Sequence, residues 1–186
     1  MRADGGSTVV GLLTRVAVVG LLTIAGGVLV KTASAEPAVR SAGAAVYLGQ
    51  VVAQSVQQGV RGAQAISSVP VLPGGARLLV VWSDRVPGDQ PGYGCQAWYY
   101  SPAGGGTIYT THTALTKIVA PTTPLLLAPW DTLAEGVTPI GGAAVFAKAT
   151  ATSVTMSFAI TAQEPALISS AATSAITATG TVPCFD

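Results

Sequence analysis

The first strong pattern in the chain is a run of largely apolar residues near the N-terminus. Residues 9–30 contain one charged residue, Arg15. A helix of that length covers about 33 Å, enough for the hydrocarbon core of a bilayer. Arg2 and Arg15 precede the centre of the run and Lys31 follows it, which favours an N-terminus in the cytoplasm. We therefore predict a membrane-inserted helix over residues 7–32.

The next pattern has helical spacing. Val52, Val56 and Val60 recur every four residues, and glutamines occupy much of the remaining surface. This predicts an amphipathic helix over about residues 41–66, inside a stem segment spanning 33–68. Its several glycines lower its intrinsic stability, so it needs another element to pack against.

Beyond residue 69 the pattern changes to short strands separated by glycine and proline turns. The alternation of apolar and small polar residues is clearest at 153–163. Residues 130–137 predict a short helix or turn. Further strands are predicted at 77–83, 95–101, 107–115, 143–147 and 168–179, with a hairpin turn at 102–106 and an irregular connection at 120–129.

These elements predict an α+β fold. A long N-terminal helix, with a membrane half and an amphipathic half, packs on a small antiparallel sheet, and residues 69–186 form a β-rich head. A chain of 186 residues suits one such domain plus an anchor. From residue 62 onward, four basic and six acidic residues leave no basic stripe, so no nucleic-acid partner is predicted.

The two cysteines, Cys95 and Cys184, predict a disulfide formed in an oxidising compartment. It would close a loop of about 90 residues and, in the chain-entropy model, stabilise the fold by roughly 4–5 kcal/mol. Two unrelated buried thiols are the alternative.

Candidate catalytic and metal-binding residues are few. The single histidine, His112, lies in a threonine-rich strand, and no Gly-x-Ser-x-Gly elbow is present. Asp84 and Asp89 share a loop without calcium-binding spacing, and we interpret them, with Asp131, as solvated residues. No enzymatic activity, cofactor or metal is predicted. A cluster of aromatic residues is interpreted as core packing with one outward face: Trp82, Trp98, Tyr99 and Tyr100.

The fate of the N-terminal run has three interpretations. Ala33-Ser34-Ala35 before Glu36 is a small-x-small pattern typical of signal-peptide cleavage, and a plain uncut anchor is the second interpretation. The third uses the junction Gly6-Ser7, followed by Thr8-Val9-Val10 and Leu12-Leu13. This junction resembles the class III prepilin leader of type IV pilins and type II secretion pseudopilins. Ser7 replaces the usual Phe or Met, and Gly11 replaces the usual Glu.

The remainder of the chain is similar in texture to the C-terminal domains of actinobacterial-type prepilin-like proteins. Four pieces carry this resemblance: the strand with Trp82, the hairpin from Cys95 to Tyr109, the segment 130–139, and the alternating strand 154–161 with its Ala/Ser/Thr-rich successor. In such proteins the last two strands form a hairpin on a meander that packs against the amphipathic helix.

The resemblance implies a leader peptide at residues 1–6, cleavage by prepilin peptidase between Gly6 and Ser7, and N-methylation of Ser7. It implies a single-pass membrane protein with an extracytoplasmic head that joins other pilin or pseudopilin subunits at the cell surface. The missing glutamate at Gly11 favours a minor subunit. The alternative is a secreted or cell-wall β-domain binding protein released after Ala35.

Overall fold

The computed structural model describes residues 41–83, 94–175 and 182–185. Within them, one α-helix, α1, spans residues 41–61 and nine strands follow it, with short 3₁₀ helices at Pro73–Gly75, Ala103–Gly105 and Pro124–Leu127. The strands are β1 (Ala63–Ile66), β2 (Arg77–Ser83), β3 (Gly94–Ser101), β4 (Thr107–Thr113), β5 (Asp131–Glu135), β6 (Val137–Pro139), β7 (Phe146–Lys148), β8 (Ser153–Ile160) and β9 (Ala166–Thr173).

The first five strands form one antiparallel sheet in chain order, with β3 at its centre. Residues 94–100 of β3 are all buried, so both faces of this sheet are covered. Trp98 and Tyr100 belong to a core shared with α1, whereas Cys95, Ala97 and Tyr99 belong to a second apolar cluster on the opposite face. The alternation of side chains along a strand produces this division.

The second sheet is built around β8. Along its whole length β8 pairs with β9. The short strands β6 and β7 pair with opposite ends of β8, and since β9 occupies one edge they share the other. Every second residue of β8 is buried, from Val154 to Ile160. The strong alternation seen in the sequence therefore corresponds to a sheet with one buried face.

Helix α1 contributes one buried stripe to the core that the two sheets share. Val52, Val56 and Val60 are fully buried in it. The indole Nε1 of Trp98 on β3 donates a hydrogen bond of 2.9 Å to Ser55 Oγ. On the second sheet, the Gln57 side-chain amide donates to Ser170 Oγ. The helix is thus joined to both sheets by packing and by hydrogen bonds.

Two glycines allow α1 to approach the sheets closely. A Cβ at Gly59 would lie 2.2 Å from Cη2 of Trp98, and one at Gly49 would lie 2.5 Å from Cδ1 of Ile168. At both positions a larger residue would fit only if the neighbouring side chain moved. The glycines that weaken the isolated helix are therefore positions where the packed helix needs the absence of a side chain.

The predicted amphipathic helix ends earlier than expected. Residues 63–66 form strand β1, not the last turn of the helix to residue 66. The helix stops at Gly62, whose carbonyl accepts a hydrogen bond from Ser83 Oγ, and Ala63 and Ile66 then turn their side chains into the core. Pairing with β2 outweighs the local helical periodicity.

The predicted short helix or turn at residues 130–137 is also wrong. Residues 131–135 form β5 beside β4, and β6 begins at Val137. Gly136 stands between them with a φ of +69°, a conformation that glycine adopts without strain. In contrast, β2 has the bounds predicted from the sequence, and β3 and β8 lie where strands were expected.

The predicted fold class is contradicted. The structure has one helix of about 21 residues followed by a mostly antiparallel β domain, and not a long N-terminal helix packed on a small sheet. None of the helices in the described ranges is long and apolar enough to cross a membrane. The membrane segment predicted at residues 7–32 lies outside those ranges. Residues 42–186 form one compact unit.

Candidate functional site: a disulfide-anchored apolar cover

The face of the first sheet that lies opposite α1, hereafter the outer face, carries its own apolar cluster. Its buried members come from β2 and the residue before it, from β3, and from two segments that cross the face: Ala76, Leu78, Val80, Cys95, Ala97, Tyr99, Ile118 and Cys184. A sheet buried on both faces needs a covering layer on each, and here loop segments take the place of a second helix.

A disulfide joins Cys184 to Cys95 on the central strand, which confirms the predicted pairing. Its sulfur atoms are 2.08 Å apart, the Cα atoms are 5.4 Å apart, and both cysteines are fully buried. The backbone N–H of Ile118 donates to the carbonyl of Cys184 at 3.1 Å. The bond therefore fixes the C-terminal segment on the sheet, and that segment in turn holds the loop at Ile118.

Residues 115–127, which we name the apolar cover, follow β4 and cross this face. Ile118 and Leu127 contact the cluster beneath. Four other large apolar side chains of the cover point to solvent: Leu115 is 51% exposed, Val119 72%, Leu125 83% and Leu126 51%. Lys117 is the only charged residue between positions 114 and 130. Four exposed apolar side chains on one short segment make the cover a candidate interaction surface.

The cover begins with an unusual backbone conformation. Leu115 has a φ of +82°, a region that bulky side chains rarely adopt. The hydroxyl of Thr113 donates to the carbonyl of Thr116 at 2.6 Å, which closes the turn around Leu115. Strain of this kind persists only where the surrounding structure fixes it. The turn directs the chain off the end of β4 and onto the outer face.

Three aromatic rings belong to or pack against the outer-face cluster that Leu127 of the cover also contacts. The Tyr99 ring lies 6.0 Å from that of Trp130, close to edge-on, and 6.5 Å from that of Tyr109. Burial, and then the neighbouring Tyr109, raise the pKa of Tyr99 above its ordinary value. On the opposite face, burial raises the pKa of Tyr100, whose hydroxyl donates to Val137 O at 3.4 Å. These tyrosines are favoured in their neutral form.

A shallow depression of about 360 Å³ lies beside Tyr99, between the turns that precede β2 and follow β3. Its lining is formed by turn residues and one tyrosine, without a charged side chain: Pro73, Gly74, Ala76, Tyr99, Ser101, Pro102 and Ala103. Such a lining offers few polar groups that would orient a small ligand.

The remaining residues singled out in the sequence are not brought together. His112 is exposed near the end of β4, opposite Gln96, and Asp131 is exposed at the start of β5. Within the described ranges, no three metal-ligating side chains cluster. Trp98, Tyr99 and Tyr100 are buried, in agreement with core packing. Gly6, Ser7, Asp84 and Asp89 lie outside the described residues.

The apolar cover was not predicted from the sequence. Residues 120–129 were expected to be an irregular connection, but Pro124–Leu127 form a short 3₁₀ helix, and the exposure of Leu125 and Leu126 was not expected. The signal that marks the cover is the run Leu125-Leu126-Leu127 between Pro124 and Pro129, because prolines at both ends leave room for no more than one short helical turn.

Comparisons with known proteins give no family assignment: no family model, no curated protein and no solved structure matches the chain.

Proposed function

We propose that the chain is a structural subunit, of the minor pilin or pseudopilin kind, in a type IV pilus-like or type II secretion-like assembly. In this proposal residues 7–32 hold the subunit in the membrane after cleavage at Gly6, and the compact unit of residues 42–186 works outside the cytoplasm. The disulfide between Cys95 and Cys184 supports an extracytoplasmic site of action, because such bonds persist in oxidising compartments.

The observation that carries the proposal is the apolar cover. Leu125 and Leu126 are exposed at 83% and 51% on a segment with one charged residue. Burying such a side chain against a partner contributes roughly 1.5–3 kcal/mol. The disulfide holds the segment under the cover in place, so little ordering is needed when a partner binds. A neighbouring subunit is the partner that an assembly supplies.

The contribution of the cover is tested by the double substitution Leu125→Ser and Leu126→Ser in the producing cell. These side chains make no contribution to the buried cluster, so we expect a folded protein whose recovery in the assembled surface fraction falls at least tenfold. Val71→Ser is the matched control, since Val71 is 66% exposed outside the cover. Equal recovery of the double variant and the control would contradict a role for the cover in assembly.

A second candidate function is a secreted or cell-wall binding domain released after Ala35. It is supported by the buried stripe of α1, because the helix already finds its packing partners within the domain and needs no further helix. The buried members of the core shared with α1, as described, come from positions 45–172.

Two substitutions separate the candidates. Gly6→Val blocks prepilin peptidase, whereas Ala35→Leu blocks signal peptidase, which requires a small residue there. The assembly proposal expects Gly6→Val to stop processing and Ala35→Leu to leave it unchanged, as judged by the size of the chain on an immunoblot. The reverse pattern would support the secreted domain and would contradict the assembly subunit.

A further inference from the structure

The sheet edges differ in how they are protected. An edge strand exposes unpaired N–H and C=O groups, and natural proteins shield them with short strands, bulges, charges or prolines. Strand β1 has four residues and a register shift, and its carbonyls at Ala63 and Ile66 accept hydrogen bonds from Ser174 Oγ and Lys148 Nζ. This edge is therefore shielded by three of the known devices.

Two other edges are shielded as well. Strand β5 is five residues long, carries Asp131 and Glu135 at its ends, and pairs with β4 across a register shift. Strands β6 and β7 have three residues each, with Pro139 in one and Lys148 in the other. Charges and prolines at these positions oppose pairing with another strand.

Strand β9 has none of these devices. Its eight residues, ALISSAAT, contain no charge, proline or glycine, and they pair with β8 without a register shift. Within the part of the chain that the structure describes, no strand pairs with the other edge of β9. Four outward side chains, beginning with the 69% exposed Leu167, line the solvent face of the strand.

We propose that β9 is a self-association edge, on which a second copy of this chain pairs antiparallel through its own β9. The second sheet of each copy would then join that of the other copy in the strand order β8–β9–β9–β8, across a two-fold axis. A two-fold arrangement is the commonest form of homodimer and uses the same patch twice. The inference rests on Ala166–Thr173 alone and does not depend on the proposed function, so either can fail while the other stands.

The residue pattern of β9 fits a copy of itself. In an antiparallel pair, two residues that lie opposite each other point to the same face of the sheet. Because neighbouring residues of β9 point to opposite faces, the two-fold axis must pass through a residue that lies opposite its own copy, and not between two residues. The two registers that pair the most residues are centred on Ser169 and Ser170. The first places Leu167 opposite Ala171, and the second places it opposite Thr173. Each large side chain therefore meets a small one, and no like charges face each other.

Cysteine cross-linking of the full chain, in whichever fraction of the producing cell contains it, tests the proposal. Ser169→Cys places two thiols opposite each other in the first register, and Ser169→Cys with Ala171→Cys does so in the second. Opposite Cα atoms in an antiparallel pair are about 4.5–5.5 Å apart, within the range of a disulfide. The native cysteines are bonded to each other, so they offer no competing thiol.

The matched controls place the cysteines on β8. Ser157→Cys is the control for the single variant, and Thr155→Cys with Ser157→Cys is the control for the double variant. Ser157 pairs with Ser169 on the same face but lies one strand further from the edge. Across the dimer the two β8 strands are separated by about 14 Å, three strand spacings, which no disulfide spans. After mild oxidation we expect a product of twice the chain's mass on a non-reducing gel, at least tenfold more abundant in one β9 variant than in its control.

Yields no higher than those of the controls in both β9 variants would overturn the proposal. A cross-linked product of any other mass would also overturn it, because the edge would then serve a different protein. A second measurement uses Ser169→Lys with Ala171→Lys, which places lysines opposite each other in both registers. Sedimentation velocity of the purified full chain should show monomer for this variant and dimer for the control variant Thr138→Lys with Thr155→Lys, whose exposed positions do not lie on β9.

Discussion

The close contact between α1 and the first sheet makes Gly59 the most informative position for mutation. In Gly59→Ala, the new Cβ would lie 2.2 Å from Cη2 and 2.9 Å from Cζ2 of Trp98, and 2.9 Å from Oε1 of Gln96. Trp98 is fully buried and its Nε1 donates to Ser55 on the same helix. The ring therefore has no free space to move into, and the helix must move away from the sheet.

The expected cost is that of overpacking a well-filled core, about 1–3 kcal/mol. Alanine is a better helix former than glycine by about 1 kcal/mol, which offsets part of that cost. Gly43→Ala is the matched control, since a Cβ there meets nothing within 4 Å. It should stabilise the fold by up to about 1 kcal/mol. Because the gain in helix propensity is common to both variants, they should differ by the overpacking cost alone, about 1–3 kcal/mol in the free energy of unfolding.

Urea unfolding followed by tryptophan fluorescence measures this difference, with the slope of the transition checked for constancy. If Gly59→Ala were as stable as Gly43→Ala, α1 would not pack on β3 at the distance described. The shared core would then need a different arrangement.

Three further predictions concern the disulfide, a buried hydrogen bond and the tyrosines. Cys184→Ala with Cys95→Ala should lower the free energy of unfolding by about 4–5 kcal/mol, measured against the oxidised parent, and an unchanged value would argue against a structural bond. Ser55→Ala should cost about 1–3 kcal/mol because it leaves the buried Trp98 N–H without its acceptor, whereas Gln54→Ala, at an exposed position of the same helix, should cost less. The native pKa values of Tyr99 and Tyr100 exceed that of an unfolded tyrosine, near 10. The two tyrosines therefore contribute fully to the free energy of unfolding below pH 10, and this contribution is lost as the pH rises further. Tyr100→Phe should reduce the loss, and a free energy of unfolding that does not change between pH 9 and 11 would contradict the prediction.

The parts of the fold that the sequence predicts are those with a strong local period. Strand β8 alternates over its whole length, and β2 is a short apolar run between turns, so both were located correctly. The disulfide followed from there being only two cysteines. In each case a single physical rule acts on neighbouring residues, or on the only pair available.

The parts that the sequence did not predict depend on contacts between distant residues. Strand β1 directly follows α1 and was predicted as its last turn. It instead pairs with β2, and the Ser83 hydroxyl donates a hydrogen bond to the carbonyl of Gly62 just before it. The division of nine strands into two sheets follows from which strands pair, which no local period specifies. The apolar cover was missed because exposure of Leu125 and Leu126 is a property of the packed structure.

The central claim, that the chain is a retained assembly subunit, is tested most directly by the intact mass of the mature protein, isolated from the producing cell and fragmented from its N-terminus. The account predicts a chain that begins at Ser7 and carries one methyl group on its α-amino nitrogen, recovered with the membrane or the assembled surface fraction. A chain that begins at Glu36 and is recovered from the medium would contradict it.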